Sequence, residues 1–513
     1  MLKALFLSGA AFALPLAAAE PIAVTAPHNP ILSDGTSFSA DPAPLVVGDT
    51  LYILAGHDEA APDQNDFIMN DWQLLATKDV ASGKWLHYPR FLKPEDVFKW
   101  ATPGRAYGAQ IIQAPNKKFY LYAPVMQANC SDKDCFGIGV AVADSPLGPW
   151  TDAHPAGPII SQRAPVANTI QNIDPTPFVD EDGRVYIYWG TFGQLRGIEL
   201  AADMITPKGE EVAVKSLKGF FEAPWLFKRN GTYYMAYAGN HAGPNSDCTP
   251  AVYHACIAYG SAPSPLGPWT YRGVILPPVS STTSHDGIIQ FKDKWYLVYH
   301  TADAKGGGHF RRSVAIDEMQ WDDSVTPAAI KQVTPTPRPP SEIGPQRNVA
   351  PAAKIVVSND PVPVQCWSKA LNDGIVRVNP LPPDMWGTWN GNNPPKPWIA
   401  YQWSAPVKLN ASRITFWADH PAGAGEGVAP PKSWHLEYCD GSAWKPVHAT
   451  SSYGTETDKF VEVTFEPVTT TCLRAVFDAS QAGGGTAGVA VEEWEALSVE
   501  PVKLHLGESP QVK

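Results

Sequence analysis

The chain has 513 residues, room for two or three domains, and 39 Lys and Arg against 51 Asp and Glu leave it a formal net charge of −12. That charge disfavours nucleic acid as a partner, and 51 prolines with 41 glycines interrupt the chain too often for a mostly helical protein. Seven cysteines suit an oxidising compartment: Cys130 with Cys135 and Cys248 with Cys256 are close pairs in loops, Cys439 and Cys472 suit a bridge between strands, and Cys366 is left over. None of these spacings resembles a zinc site.

In chain order, residues 1–19 carry Lys3, an apolar stretch from Ala4 to Leu16, and Ala17-Ala18-Ala19 before Glu20. This is the pattern of a signal peptide, too short to span a bilayer. The expectation is a secreted or periplasmic protein that keeps no membrane attachment after cleavage.

Hairpins follow. Asp41 opens DPAPLVVGDTLYIL, Asp174 opens DPTPFVDEDGRVYIYWG and Glu222 opens EAPWLFKRNGTYYMAYAG. Each is an acid, a Pro-containing apolar strand, a turn with Gly, and a second strand whose Tyr (Tyr52, Tyr186, Tyr233) lies 11 or 12 residues on. His285 in HDGIIQFKDKWYLVYH and Ala109 before QIIQAPNKKFYLYAP head two further copies. A second repeat is literal: SPLGPWT occurs at Ser145–Thr151 and Ser264–Thr270, each a turn before an outer strand. Five units of this size predict a five-bladed β-propeller whose strand starts converge on one point. The propeller is expected over 20–325. A Pro-rich linker is expected over 326–351. A second all-β domain is expected over 352–505, from runs such as WIAYQW, RITFWA, WHLEYCD and FVEVTF.

The ordered motifs DPAP, IDPTP, FEAP, SHDG and RRSVAI resemble those of family 43 glycoside hydrolases, five-bladed propellers that remove arabinose or xylose from plant polysaccharides. The resemblance covers about Pro30 to Asp323. It implies Asp41 as general base, Glu222 as general acid, and Asp174 as the group that holds the acid's protonation and orientation. An inverting glycosidase needs such a pair on opposite faces of the sugar, with room between them for a water. A negative neighbour raises the acid's pKa and keeps it protonated near neutral pH. No cofactor is required for this chemistry. The resemblance also points His285 into the central channel, where it supports a hydrated calcium-type ion or orients the acids. Arg312 is expected to donate to a sugar hydroxyl or to Asp174. Trp72, Tyr107, Trp189 and Phe221 are candidate aromatic platforms for sugar.

The C-terminal part resembles a discoidin-type, galactose-binding-like β-sandwich, through LNDG (Leu371–Gly374), WGTW (Trp386–Trp389) and PKSWHLEYCDGSAWKPV. Trp386 and Trp389 either stack on glycan or buttress the fold; the strand aromatics favour the buttress. The resulting expectation is a monomeric inverting hydrolase for α-L-arabinofuranosyl or β-D-xylosyl linkages in polysaccharide or oligosaccharide. The alternatives are a glycan-binding propeller without activity, or the same fold acting on a β-galactoside or arabinan backbone.

Overall fold

In the computed structural model the described residues are 20–504, apart from 63, 65, 243–245, 250–254, 280–282, 337–342, 361–365, 367, 375, 377–384, 426, 442 and 483–484. The leader at 1–19 lies outside them. The fold is nearly all β, as the proline and glycine content requires. Five antiparallel sheets meander outward from five inner strands: Phe38–Val47, Gln110–Gln113, Thr176–Val179, Phe220–Arg229 and Asp286–Phe291. Each inner strand touches the next, and the last touches the first, so the ring is closed. The second strands are buried on both faces between blades, which is why Val185–Trp189 reads VYIYW without alternation.

Aromatic polar tips tie the blades together. The Trp72 indole donates to the Tyr107 carbonyl (2.8 Å), Tyr122 to Met204, Tyr188 to Pro265, and Trp225 to Ile288. Each buries a large ring while satisfying its own donor. The two SPLGPWT copies lead into Thr151–Asp152 and Thr270–Leu276, the outermost strands of blades two and four, so the literal repeat marks structurally equivalent places.

Blade five supplies only three strands of its own, ending in Ser313–Met319. The chain's beginning completes it. Ile31 N–H donates to the Val314 carbonyl (2.8 Å), and the Asn29 amide reaches Ile316 in both directions (3.0 and 2.9 Å). First and last segments therefore close the propeller together.

The junction differs from a plain spacer. Ala329–Ile330 pairs with Trp321–Asp322, Ile330 and Val333 are buried in a propeller core, and Thr336 binds Asp317. Further on, Ile343–Asn348 is already a strand of the second domain, paired with Ala490–Leu504. The stretch between these two, 337–342, lies outside the described residues. The second domain is built on three long strands, Trp398–Trp417, Phe460–Asp478 and Ala490–Leu504, which bend at bulges around a core including Trp434, Phe416, Phe477 and Trp494. Trp386 is fully buried against Phe477, a core residue rather than a sugar platform. All three expected disulfides are formed, and Cys366 is buried beside Met385 and Val428.

Candidate active site

The acids sit where the inner strands begin, at a shared backbone device. Asp41 and Asp174 both precede a proline and both adopt the left-handed conformation, at φ 51 and 55. In blade four the residue before Pro224 is Ala223, at φ 54, so Glu222 lies one position earlier than the common register. Strand pairing agrees: Leu45, Phe178 and Phe227 face Tyr52, Tyr186 and Tyr234, making Tyr234 rather than Tyr233 the equivalent tyrosine. A left-handed non-glycine residue is costly and persists where surroundings over-determine it. The same pairing puts Gly108, not Ala109, in the slot of blade two, with Ile112 facing Tyr120. A Cβ at Gly108 would lie 2.6 Å from His285 Cε1 and 3.0 Å from Asp174 Oδ1, so this slot has no room for a side chain.

Asp41 is clamped. Arg312 Nη1 donates to its Oδ1 at 2.7 Å, while the same guanidinium makes a fork to Asp58 (2.9 and 3.0 Å) and lies over the Phe67 ring. Arg312 is 2% exposed and its guanidinium is engaged by Asp41 and Asp58, so it orients Asp41 rather than presenting an open hand to solvent. Asp58, unmarked in the sequence, is its second anchor. Burial alone would raise the Asp41 carboxyl, yet the Arg312 guanidinium holds it below the usual range. The His285 and His300 imidazoles are kept neutral, chiefly by burial, His285 at about 4 and His300 at about 3. The fixed charge of Arg312 is therefore what keeps Asp41 ionised. His300 Nδ1 accepts from the Asp41 backbone N–H (3.3 Å), leaving Nε2–H to donate to the Thr283 carbonyl (3.0 Å).

The other two acids behave oppositely. Glu222 is pushed up to about 7, first by burial and then by the charge of Asp41, against the Thr191 hydroxyl that donates to its Oε2 (2.7 Å) and against Arg312. Desolvation, more than a neighbouring carboxylate, raises this acid. Asp174 is also driven well above its ordinary range, by burial and then by Glu222 and Asp41, while the Ala223 N–H donates to its Oδ2 (3.1 Å) and favours the ionised form. One residue thus ties Asp174 to the strand start that carries Glu222.

The aromatic candidates divide. Trp72 and Trp189 are 1% and 0% exposed, with indole N–H groups donating to the Tyr107 carbonyl and Asn172 Oδ1, so each staples its strand to a loop and is not a platform. Tyr107 is part-buried, stacked on Phe136, with its hydroxyl bound by Arg105. Phe221 is part-buried and meets Phe192 edge to face at 5.5 Å; Phe192 is 66% exposed and was not singled out by sequence.

For a metal, His285 offers one nitrogen beside Asp41 (Nδ1 to Oδ1 3.6 Å), too little for an all-protein calcium cage, which takes 6–8 oxygens. Asp286 buries both carboxylate oxygens without a hydrogen-bond partner among the described residues, and burial raises its pKa. A cation at His285 would be carried by water. Among the described residues His57, Glu59 and Asp71 also cluster, on blade one; His57 Nδ1 already binds Asp71 (3.0 Å), and the two carboxylates raise its pKa against the pull of burial.

The closed five-bladed propeller thus gathers three buried acids at the inner-strand starts, Asp41 with a depressed pKa and Asp174 and Glu222 with raised ones. The chain belongs to glycosyl hydrolases family 43, whose sequence model matches residues 27–327, and it is a glycoside hydrolase. Relatives include a xylosidase/arabinosidase of Bacteroides ovatus, 32% identical over 56% of this chain and 92% of the relative. An arabinoxylan arabinofuranohydrolase of Bacillus subtilis is 30% identical over 57% of this chain and 61% of its own length. Among solved structures, a family 43 enzyme from Xanthomonas citri complexed with xylotriose is 27% identical, with a TM-score of 0.50 over 61% of this chain and 94% of its own. The Bacillus subtilis arabinoxylan arabinofuranohydrolase solved with cellotetraose, at 22% identity and a TM-score of 0.50, covers 93% of this chain and 99% of its own, a likeness of fold that runs across both bodies. Enzymes of this family need no cofactor for their chemistry.

Proposed function

We propose that this is an inverting, exported glycosidase that releases α-L-arabinofuranosyl or β-D-xylosyl residues from plant cell-wall polysaccharides or oligosaccharides, working as a monomer. The observation that carries the reading is the opposed electrostatics of the two acids: Arg312 holds Asp41 ionised while burial takes Glu222 up to about 7. Asp41 accepts a proton from a water as that water's oxygen bonds to the anomeric carbon. On the other face Glu222 gives its proton to the departing glycosidic oxygen, and the old C–O bond breaks. Asp174 positions Glu222 through the Ala223 amide and tunes its proton. Arg312 fixes the base, and Phe221 and Tyr107 remain candidate sugar contacts. The names of the relatives support a pentose, and the leader-like start with three disulfides supports export. A hydrated calcium ion beside His285 would brace the channel without entering these proton transfers.

Stereochemistry tests this directly. Proton NMR of the first product should show the anomer opposite to that of the substrate. Retention would require a covalent nucleophile and would overturn the role given to Asp41.

A further inference from the structure

A cavity of about 550 Å³ opens on blade three, and it touches the acid's own hydrogen-bond partner. Its lining includes Asn168, Gln171, Thr191, Phe192, Arg196 and Glu211. That volume suits a small-molecule or saccharide site. Three features make it more than a surface dimple. Thr191 is shared with the site, since its hydroxyl donates to Glu222 Oε2. Phe192 presents a 66% exposed ring from a left-handed backbone at φ 50, steadied by Phe221, an expensive way to display an apolar face to water. Glu211 pairs through Oε1 with Arg196 Nε (3.2 Å), while its Oε2 is buried and has no hydrogen-bond partner among the described residues. Burial raises the Glu211 carboxyl despite Arg196.

We propose that this cavity binds the portion of the substrate that departs: β-1,4-linked xylopyranosyl units beyond the cleaved oxygen. The inference rests on the pentosidase function proposed above. The base and its arginine stand on blades one and five, so the pentose being removed lies between them and Glu222. The leaving oxygen receives its proton from Glu222, and whatever is attached to that oxygen must run past the acid, toward Thr191 and the cavity. Whether the released sugar is arabinofuranosyl from a decorated xylan or xylosyl from a chain end, the group left behind is a xylopyranosyl chain. That chain is neutral, flat-faced and rich in hydroxyls. A pyranose face matches the exposed Phe192 ring, and a hydroxyl donor matches the unsatisfied Glu211 oxygen.

Binding of xylotetraose to the full chain carrying Glu222→Gln, which cannot turn it over, is the deciding measurement. Adding Phe192→Ala or the isosteric Glu211→Gln should weaken the dissociation constant at least tenfold by calorimetry, with thermal unfolding checked for each. In the active enzyme, the same two substitutions should cost at least tenfold more kcat/KM on xylo-oligosaccharides, or on their arabinofuranosyl-decorated forms where arabinose is the released sugar, than on the matching pentosyl fluoride, whose leaving group reaches none of the cavity. Unchanged tetraose affinity in both variants, or no tetraose binding by the parent, overturns the inference. Failure of the parent active enzyme to cleave any pentosyl fluoride overturns the proposed function instead, and the tetraose measurement still decides the cavity.

Discussion

At Gly108 the site depends on an atom that is not there. A methyl group would press on both the His285 ring and the Asp174 carboxylate, so at least one of them must shift. Gly108→Ala is expected to cost about 1–3 kcal/mol of stability through overpacking and to lower kcat by tenfold or more; thermal unfolding and steady-state kinetics check both. A second expectation follows from the opposed carboxyls. In the proposed mechanism Asp41 acts ionised and its pKa is depressed, so activity is expected above that value and is lost as pH falls through it. Glu222 there acts protonated, so activity is expected to fade as pH rises through about 7. In Glu222→Gln the alkaline fall should vanish from the residual rate on activated aryl glycosides, while substrates with poor leaving groups should lose nearly all turnover. An unchanged alkaline limb in that variant would assign the proton to another group. Asp41 and Asp174 stood out in the sequence because each heads a repeat directly before a proline, and Glu222 because it heads a repeat one residue further from its proline. Gly108, Asp58, His300 and Phe192 were not, since nothing local marks a missing side chain or a partner more than two hundred residues away in sequence. Trp72 and Trp189 misled for the complementary reason: a tryptophan that staples a strand to a loop reads the same as one that holds sugar.

The hairpins were legible as elements because propeller strands are short, apolar and separated by Gly and Pro turns, and each spans its blade within one local stretch of sequence. Register was harder. Blades one and four carry the same bulge, at Asp41 and at Ala223, so Glu222 stands one position before it, and a bulge leaves no mark in a pattern of period two. Closure was invisible too, because the partner of the last blade is the start of the chain. Asn29 carries much of that closure: its amide donates to the Ile316 carbonyl and Asp317 and accepts from the Ile316 N–H. Asn29→Ala should remove roughly 1–3 kcal/mol of stability by losing these bonds. The folded fraction should keep its kcat, because Asn29 touches none of the acids. Denaturant unfolding alongside active-site-normalised kinetics would show it, and a loss of kcat without loss of stability would contradict a purely closing role.

For the molecule as a whole, the question is where the catalytic body ends. Proline content marks 326–351 as a spacer, yet its first third is bound to the propeller: Ile330 and Val333 are 6% and 5% exposed, Val333 N–H donates to the Ile275 carbonyl, and Thr336 binds Asp317. A chain ending at Asp323 strips both apolar residues from the core. At about 1.5–3 kcal/mol for each buried side chain, it should lose roughly 3 kcal/mol or more and express poorly. A chain ending just after Thr336 keeps those contacts and should unfold close to the catalytic transition of the full protein. The β-sandwich then has a separable role to reveal. Lys369 of that domain forms an ion pair with Asp303 (3.8 Å), in the segment that leads to Phe310 and Arg312. If the sandwich steadies that rim, the chain ending after Thr336 will show a raised KM even for small pentosides. If it is a targeting module, only polysaccharide hydrolysis will fall. Equal stability of the two shortened chains would place Ile330 and Val333 outside the catalytic fold and return its boundary to Asp323.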